Sequence, residues 1–128
     1  MNEKHCVSLS LARRIKEAGW KKETEFCWIQ DALGQWKLVN IHYLDSDDCS
    51  LGEFNSKISA PLATEILEEL PSEIENYAEL SISKDSNNFY YVQYQGVDNE
   101  TCGEFFRDKS LSNALALMWL YLRKEGLI

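Results

Sequence analysis

Apolar and polar positions along this chain repeat with two periods, near 3.6 and near 2, and the switches between them mark its elements. In SLSLARRIKEAGW, Leu11, Ile15 and Ala18 recur at helical spacing with Ala12 beside them, while Arg13, Arg14, Lys16 and Glu17 take the outer face. Ser8 or Ser10 is the cap at its start. Gly19 stands where a left-handed residue closes a helix, and Trp20 falls opposite Ile15, the contact of a Schellman close. Alternation then takes over. Phe26–Ile29 and Trp36–Val39 read as a hairpin around Asp31-Ala32-Leu33-Gly34, and Ile41-His42-Tyr43-Leu44 continues the second strand or begins a third. Residues 45–57 are polar and irregular, the longest loop expected.

A second helix is predicted in APLATEILEELP. Ser59 is its expected N-cap, Pro61 lies in its first turn, and Pro71 ends it. Leu62, Ile66, Leu67 and Leu70 form its apolar stripe. Three strands follow, Ala78–Ser83, Phe89–Gln95 and Thr101–Arg107, joined by turn-rich segments. In the middle one, Phe89, Tyr91 and Gln93 share one face, and Tyr90, Val92 and Tyr94 the other. Such a strand is either sandwiched or shows an aromatic face to a partner. The last helix, SLSNALALMWLYLRKEGLI, is capped by Ser110 or Ser112. It is apolar nearly all round, which marks a central or interface helix. Gly126 and Leu127 repeat the closing device of Gly19 and Trp20.

The order α-β-β-(β)-α-β-β-β-α is that of an α+β domain with three helices and antiparallel sheet or sheets of about five to six strands. Two small sheets around the last helix are the alternative. The 128 residues fit a single domain, with residues 1–7 as a flexible N-terminal tail. A chain of this length buries about two-thirds of its unfolded surface, enough for a core without staples.

The formal charge is −8, unevenly spread. Residues 1–25 carry six basic groups against four acids, residues 26–106 three lysines against fifteen acids, and residues 107–128 four basic groups against two acids. The acidic middle repels phosphate, so direct nucleic-acid binding is not expected there. No apolar run approaches a membrane span, and MNEKHCVSLS lacks a signal-peptide core, so a cytoplasmic chain starting near Met1 is expected. In that compartment Cys6, Cys27, Cys49 and Cys102 read as reduced thiols.

Candidate chemistry is sparse. His5 and Cys6 adjoin but lack partners at metal-ligand spacing. His42 and Cys27 offer a thiol and a base, with no oxyanion loop beside them. The loop DSDDCSLGEFNS opens like a calcium loop but places Ser50 and Ser56 where Gly and Glu are needed. No Walker loop, HExxH, GxSxG or GxGxxG occurs. The expected catalytic, metal and cofactor-binding residues are therefore none. What remains are surfaces. Trp28, Trp36, Tyr90, Tyr94 and Trp119 are the candidate protein interface, because the aromatics exceed what one sheet face needs. Asp45, Asp47, Asp48, Glu65, Glu68 and Glu69 are a candidate acidic face.

The blocks SLARRIKEAGW, APLATEILEELP and NALALMWLYLRKEGLI together resemble a family of small uncharacterised phage and prophage proteins. The likeness covers most of the chain in the order of its elements and lies in packing and capping residues. It implies a compact α+β fold of mobile-element origin and carries over no activity. The function class expected is a non-enzymatic protein that binds an unidentified protein partner or itself as a homodimer. The alternative is an acidic decoy of a host nucleic-acid-binding protein, and an enzyme ranks last.

Overall fold

A computed structural model describes residues 5–44, 56–74, 78–96 and 101–128. Helix α1 (Leu9–Glu17) leads to a hairpin of β1 (Phe26–Gln30) and β2 (Trp36–Asn40), followed by one helical turn, α2 (Ile41–Leu44). Then come β3 (Ser56–Ser59), α3 (Ala63–Glu69), β4 (Glu73–Ile74), β5 (Ala78–Lys84), β6 (Tyr90–Gln95), β7 (Thr101–Asp108) and α4 (Leu111–Lys124). The class is α+β, with three helices besides the α2 turn. Its strands form two antiparallel sheets, β2-β1-β3 and β4-β5-β6-β7. That is two sheets and more strands than the five to six expected. The strand signals missed were short. β3, SKIS, begins in the last two residues of the expected loop and runs on to Ser59, burying only Ile58, and β4 is two residues long.

Helix α4 is the centre. Ala114, Leu115, Met118 and Leu122 are fully buried, and Trp119 nearly so. The helix packs on β6 and β7, with α3 and α1 beside it, and α1 in turn reaches β3. One core cluster therefore joins α1, α3, α4 and both sheets, from Ile15 and Ile58 through Ile66 to Val92 and Tyr94. Each such side chain contributes about 1.5–3 kcal/mol by leaving water.

Local chemistry closes the ends. The Ser8 and Ser110 hydroxyls cap α1 and α4, accepting from the N–H of Leu11 and Asn113. At the other end of α1 the Trp20 N–H donates to the Ile15 carbonyl at 2.9 Å and the Gly19 N–H to Lys16 at 3.1 Å. The same pair of bonds recurs at α4, from Leu127 to Leu122 at 2.9 Å and from Gly126 to Arg123 at 3.2 Å. Gly19 and Gly126 have φ of +104° and +73°, conformations that side chains with a Cβ resist. The β1–β2 turn is tied by Asp31, whose Oδ1 accepts from the N–H of Leu33 (2.9 Å) and Gln35 (3.0 Å). With Lys37 Nζ 3.6 Å away, these bonds hold its carboxyl below the usual range.

Three expectations need correction. IHYL is a helical turn, not a strand, because the Asn40 side chain accepts from the His42 N–H at 2.8 Å and turns the chain at the end of β2. Ser59 does not cap the second helix; it pairs with Cys27 in β3, and Pro61 precedes the helix. Glu65 serves instead, its Oε1 accepting from the Leu62 N–H at 2.7 Å. The N-terminal tail is not loose over residues 5–7. Cys6 and Val7 are buried, the Val7 N–H donates to Pro61 (3.1 Å), and the Val7 carbonyl accepts from the Trp28 indole (3.0 Å).

The two helix closures differ in a testable way. A Cβ on Gly19 would lie 2.6 Å from an Arg123 guanidinium nitrogen, whereas one on Gly126 meets nothing within 4 Å. That guanidinium donates to the Ala18 carbonyl at 3.2 and 3.0 Å. Gly126→Ala should cost about 1 kcal/mol of backbone strain, and Gly19→Ala about 2 kcal/mol or more, since Arg123 loses its seat. Urea unfolding midpoints measure both, and equal losses would contradict this account.

Candidate functional site

The aromatics proposed as an interface divide between core and surface. Tyr94 is 0% exposed, with its hydroxyl donating to the Pro71 carbonyl at 2.7 Å. Trp119 is 5% exposed and meets Trp20 edge-on at 5.3 Å between ring centres. These two are core residues, because the inward face of β6 and the centre of α4 are where a small domain puts its largest rings. Trp28 and Trp36 are half-buried against the same core, Trp36 under the Arg13 guanidinium at 5.1 Å. Tyr90 is half-buried beneath Lys84 at 5.2 Å.

The aromatic surface lies on the other side of the same sheet. Residues paired across antiparallel strands share a face, so Leu80 and Phe106 point inward with Val92 and Tyr94, and Glu79, Ser81, Ser83, Tyr91, Gln93 and Arg107 point outward. The register between β6 and β7 slips between Val92 and Tyr94, with Gly103 in the slipped stretch at φ +78°. This bulge lets the Tyr121 hydroxyl of α4 approach to 2.6 Å from where a Cβ on Gly103 would stand. Beyond it Phe106 faces inward, its ring tilted against Tyr121 at 5.8 Å, and Phe105 faces out. Phe105 is 52% exposed and stacks on Tyr91 at 6.2 Å. The Arg107 guanidinium lies 3.7 Å from the Phe89 ring centre and 5.9 Å from that of Tyr91. Sequence reasoning missed Phe105 and Arg107; the paired aromatic faces of Phe89–Gln95 were the available signal.

Charge is arranged along this face. Glu73 of β4 stands directly opposite Glu79 of β5, both exposed, and among the described residues neither makes an ion pair. Like charges so placed repel. At the diagonal corner Arg107 is exposed and also makes no ion pair among the described residues. Asp85 beside it accepts from the N–H of Asn87 (2.9 Å) and Phe89 (3.0 Å) and from the Tyr91 hydroxyl. The Phe89 bond foremost holds the Asp85 carboxyl below the usual range, with a smaller contribution from the charge of Arg107.

A separate open groove of about 460 Å³ runs between the starts of α3 and α4. His5, Leu62, Thr64, Tyr90, Lys109 and Ser112 are among its lining residues, which include no carboxylate or thiol. Its Ser112 hydroxyl donates to the His5 carbonyl, so it is not free for a reaction.

The acidic residues do not form a free face in the described part of the chain. Glu65 accepts from two backbone N–H groups, those of Leu62 and, at 2.9 Å, Glu25. Lys22 pairs with Glu68 and, at 3.6 Å, with Glu69. Asp45, Asp47 and Asp48 lie outside the described residues, as does Cys49. His42 is exposed on α2, while Cys27 is buried in β1. Among the described residues, no group of three or more His, Cys, Asp or Glu side chains is placed to hold a metal ion. No described helix is long and apolar enough to cross a membrane.

No protein-family model, curated protein or solved structure matches the chain.

Burial sets the pH response. It pushes Cys6 up from 9.0 to about 11 and Tyr94 from 10.0 to about 12, and it raises Cys27 as well. The folded state then holds these protons more tightly than the unfolded chain. Their contribution is whole below pH 9.0 and is lost as pH rises toward about 11 for Cys6, and from 10.0 toward about 12 for Tyr94. The melting temperature should fall progressively over that alkaline window, and at pH 8 a thiol reagent should leave Cys6 and Cys27 unlabelled in the folded protein. Labelling of either before unfolding would contradict their placement.

Proposed function

We infer that this is a non-enzymatic cytoplasmic protein that works by binding protein, another or its own, through the outer face of β5–β7. One observation carries the reading: Phe105, more than half exposed, is held in place by a stack on Tyr91 within a face that mixes aromatic rings with an arginine that makes no ion pair among the described residues. Aromatic residues and arginine together are the usual anchors of protein interfaces, where they supply area and directed polar contact at low conformational cost. A pre-stacked ring also loses little freedom on binding.

A nucleic-acid decoy draws less support, because the charges of Glu65, Glu68 and Glu69 are directed at the protein's own backbone and at Lys22. An enzyme draws less still, since the groove offers no nucleophile paired with a base.

The test is comparative capture with folded variants. Phe105→Asp gives up the stack on Tyr91 and a strand-favouring ring and should cost about 1–2 kcal/mol, with circular dichroism confirming that the variant stays folded. Proteins retained by the wild type should be lost with Phe105→Asp and kept with Thr64→Ala in the groove. Retention of the same proteins by Phe105→Asp would remove the outer face from consideration.

A further inference from the structure

We propose that the outer face of β5–β7 takes a second copy of this chain, in a two-fold face-to-face pair in which Arg107 of each copy meets Glu79 of the other. The proposal rests on the reading of this face as a protein-binding surface and names the partner.

A two-fold interface brings one patch against itself turned round, so the patch must be self-complementary. This one is. Its acidic corner holds Glu79 facing Glu73, two like charges with no cation among the described residues, an arrangement that calls for a positive group from outside. Its diagonal corner holds Arg107, exposed and without an ion pair among the described residues, fixed over the Phe89 ring so that little side-chain freedom is left to lose. Lys109 adds a second cation 5.4 Å from the same ring. Between the corners the β5 positions are Ser81 and Ser83, small and neutral, which lets a second sheet approach, and Phe105 projects as the apolar contact.

The register gives the geometry. Arg107 pairs with Tyr91, which pairs with Ser83, and Glu79 lies four residues further along β5. The two charges are therefore two strands apart, about 10 Å, and about 13 Å apart along the strands. A two-fold that exchanges them runs along the opposite diagonal of the face. The strands of the two copies then cross steeply, as in the orthogonal class of sheet packing. An unrelated acidic partner would satisfy Arg107 but leave the Glu73–Glu79 corner facing its own kind; a second copy satisfies both.

Sedimentation equilibrium over a range of concentrations tests this, with circular dichroism to confirm that each variant is folded. The wild type should dimerise. Arg107→Glu and Glu79→Arg should each weaken the dimer by about tenfold or more, because each replaces two attractions with two repulsions. The double variant Arg107→Glu/Glu79→Arg should restore it. An equimolar mixture of the two single variants should form heterodimers, a rescue that misfolded chains do not give. A wild type that stays monomeric at its highest soluble concentration, single variants that dimerise normally, or a folded double variant that stays monomeric would each overturn the pairing. If the wild type is monomeric while Phe105→Asp still loses captured proteins, the partner is wrong and the surface stands. If Phe105→Asp also retains them, both fall.

Discussion

The burial of α4 is the constraint that shapes this molecule. A fourteen-residue helix that is apolar nearly all round has no wet side to spare, so neighbours must be placed against several of its faces. The four-stranded sheet covers one, while α3 and α1 cover the flanks. The small sheet reaches the same core through Ile58 and Trp28. Even the first described residues take part, with Ser8 donating to Asn113 at 2.9 Å and the Ser112 hydroxyl donating to His5. An N-terminus that reads as a tail is thus held by the last helix of the chain.

The functional consequence is a division of labour between the two faces of one sheet. The inner face, through Val92, Tyr94 and Phe106, is consumed by α4. With α1, α3 and α4 engaged on that side, the outer face keeps its aromatic rings and charges for something else. The −8 of the chain becomes informative only at this level. Most of the helical acids are spent on local bonds, whereas the opposed Glu73 and Glu79 and the distant Arg107 make no ion pair among the described residues.

Much of the fold was legible in the sequence because it rests on local rules. The Schellman closes at Gly19 and Gly126, the Ser110 cap, the Asp31 turn and the alternation in FYYVQY all stand where periodicity and capping put them. What was not legible depends on partners distant in sequence. SKIS becomes a strand because β1 offers it an edge, and Leu62 starts α3 because Glu65 and the N-terminal segment claim the backbone around it. The candidate site suffered most. Aromatic content shows that rings are plentiful but not which face is wet, so Tyr94 and Trp119 were grouped with surface residues. At Gly103 the pairing of β7 slips by two residues, an even number, so the alternation of its faces is kept on either side of the bulge. Phe105 reaches the surface and Phe106 the core by that alternation, Phe106 pairing with the inward Val92.

The central claim is that α4 is spent on the core and that the outer sheet face is the surface left for association. Amide NMR spectra of the wild type recorded over a dilution series test it residue by residue. The account predicts concentration-dependent shifts at Ser81, Ser83, Tyr91, Gln93, Phe105 and Arg107, with the α4 amides unmoved. Shifts centred instead on Leu117, Leu120 and Tyr121 would show that α4 itself is the interface and would contradict the account.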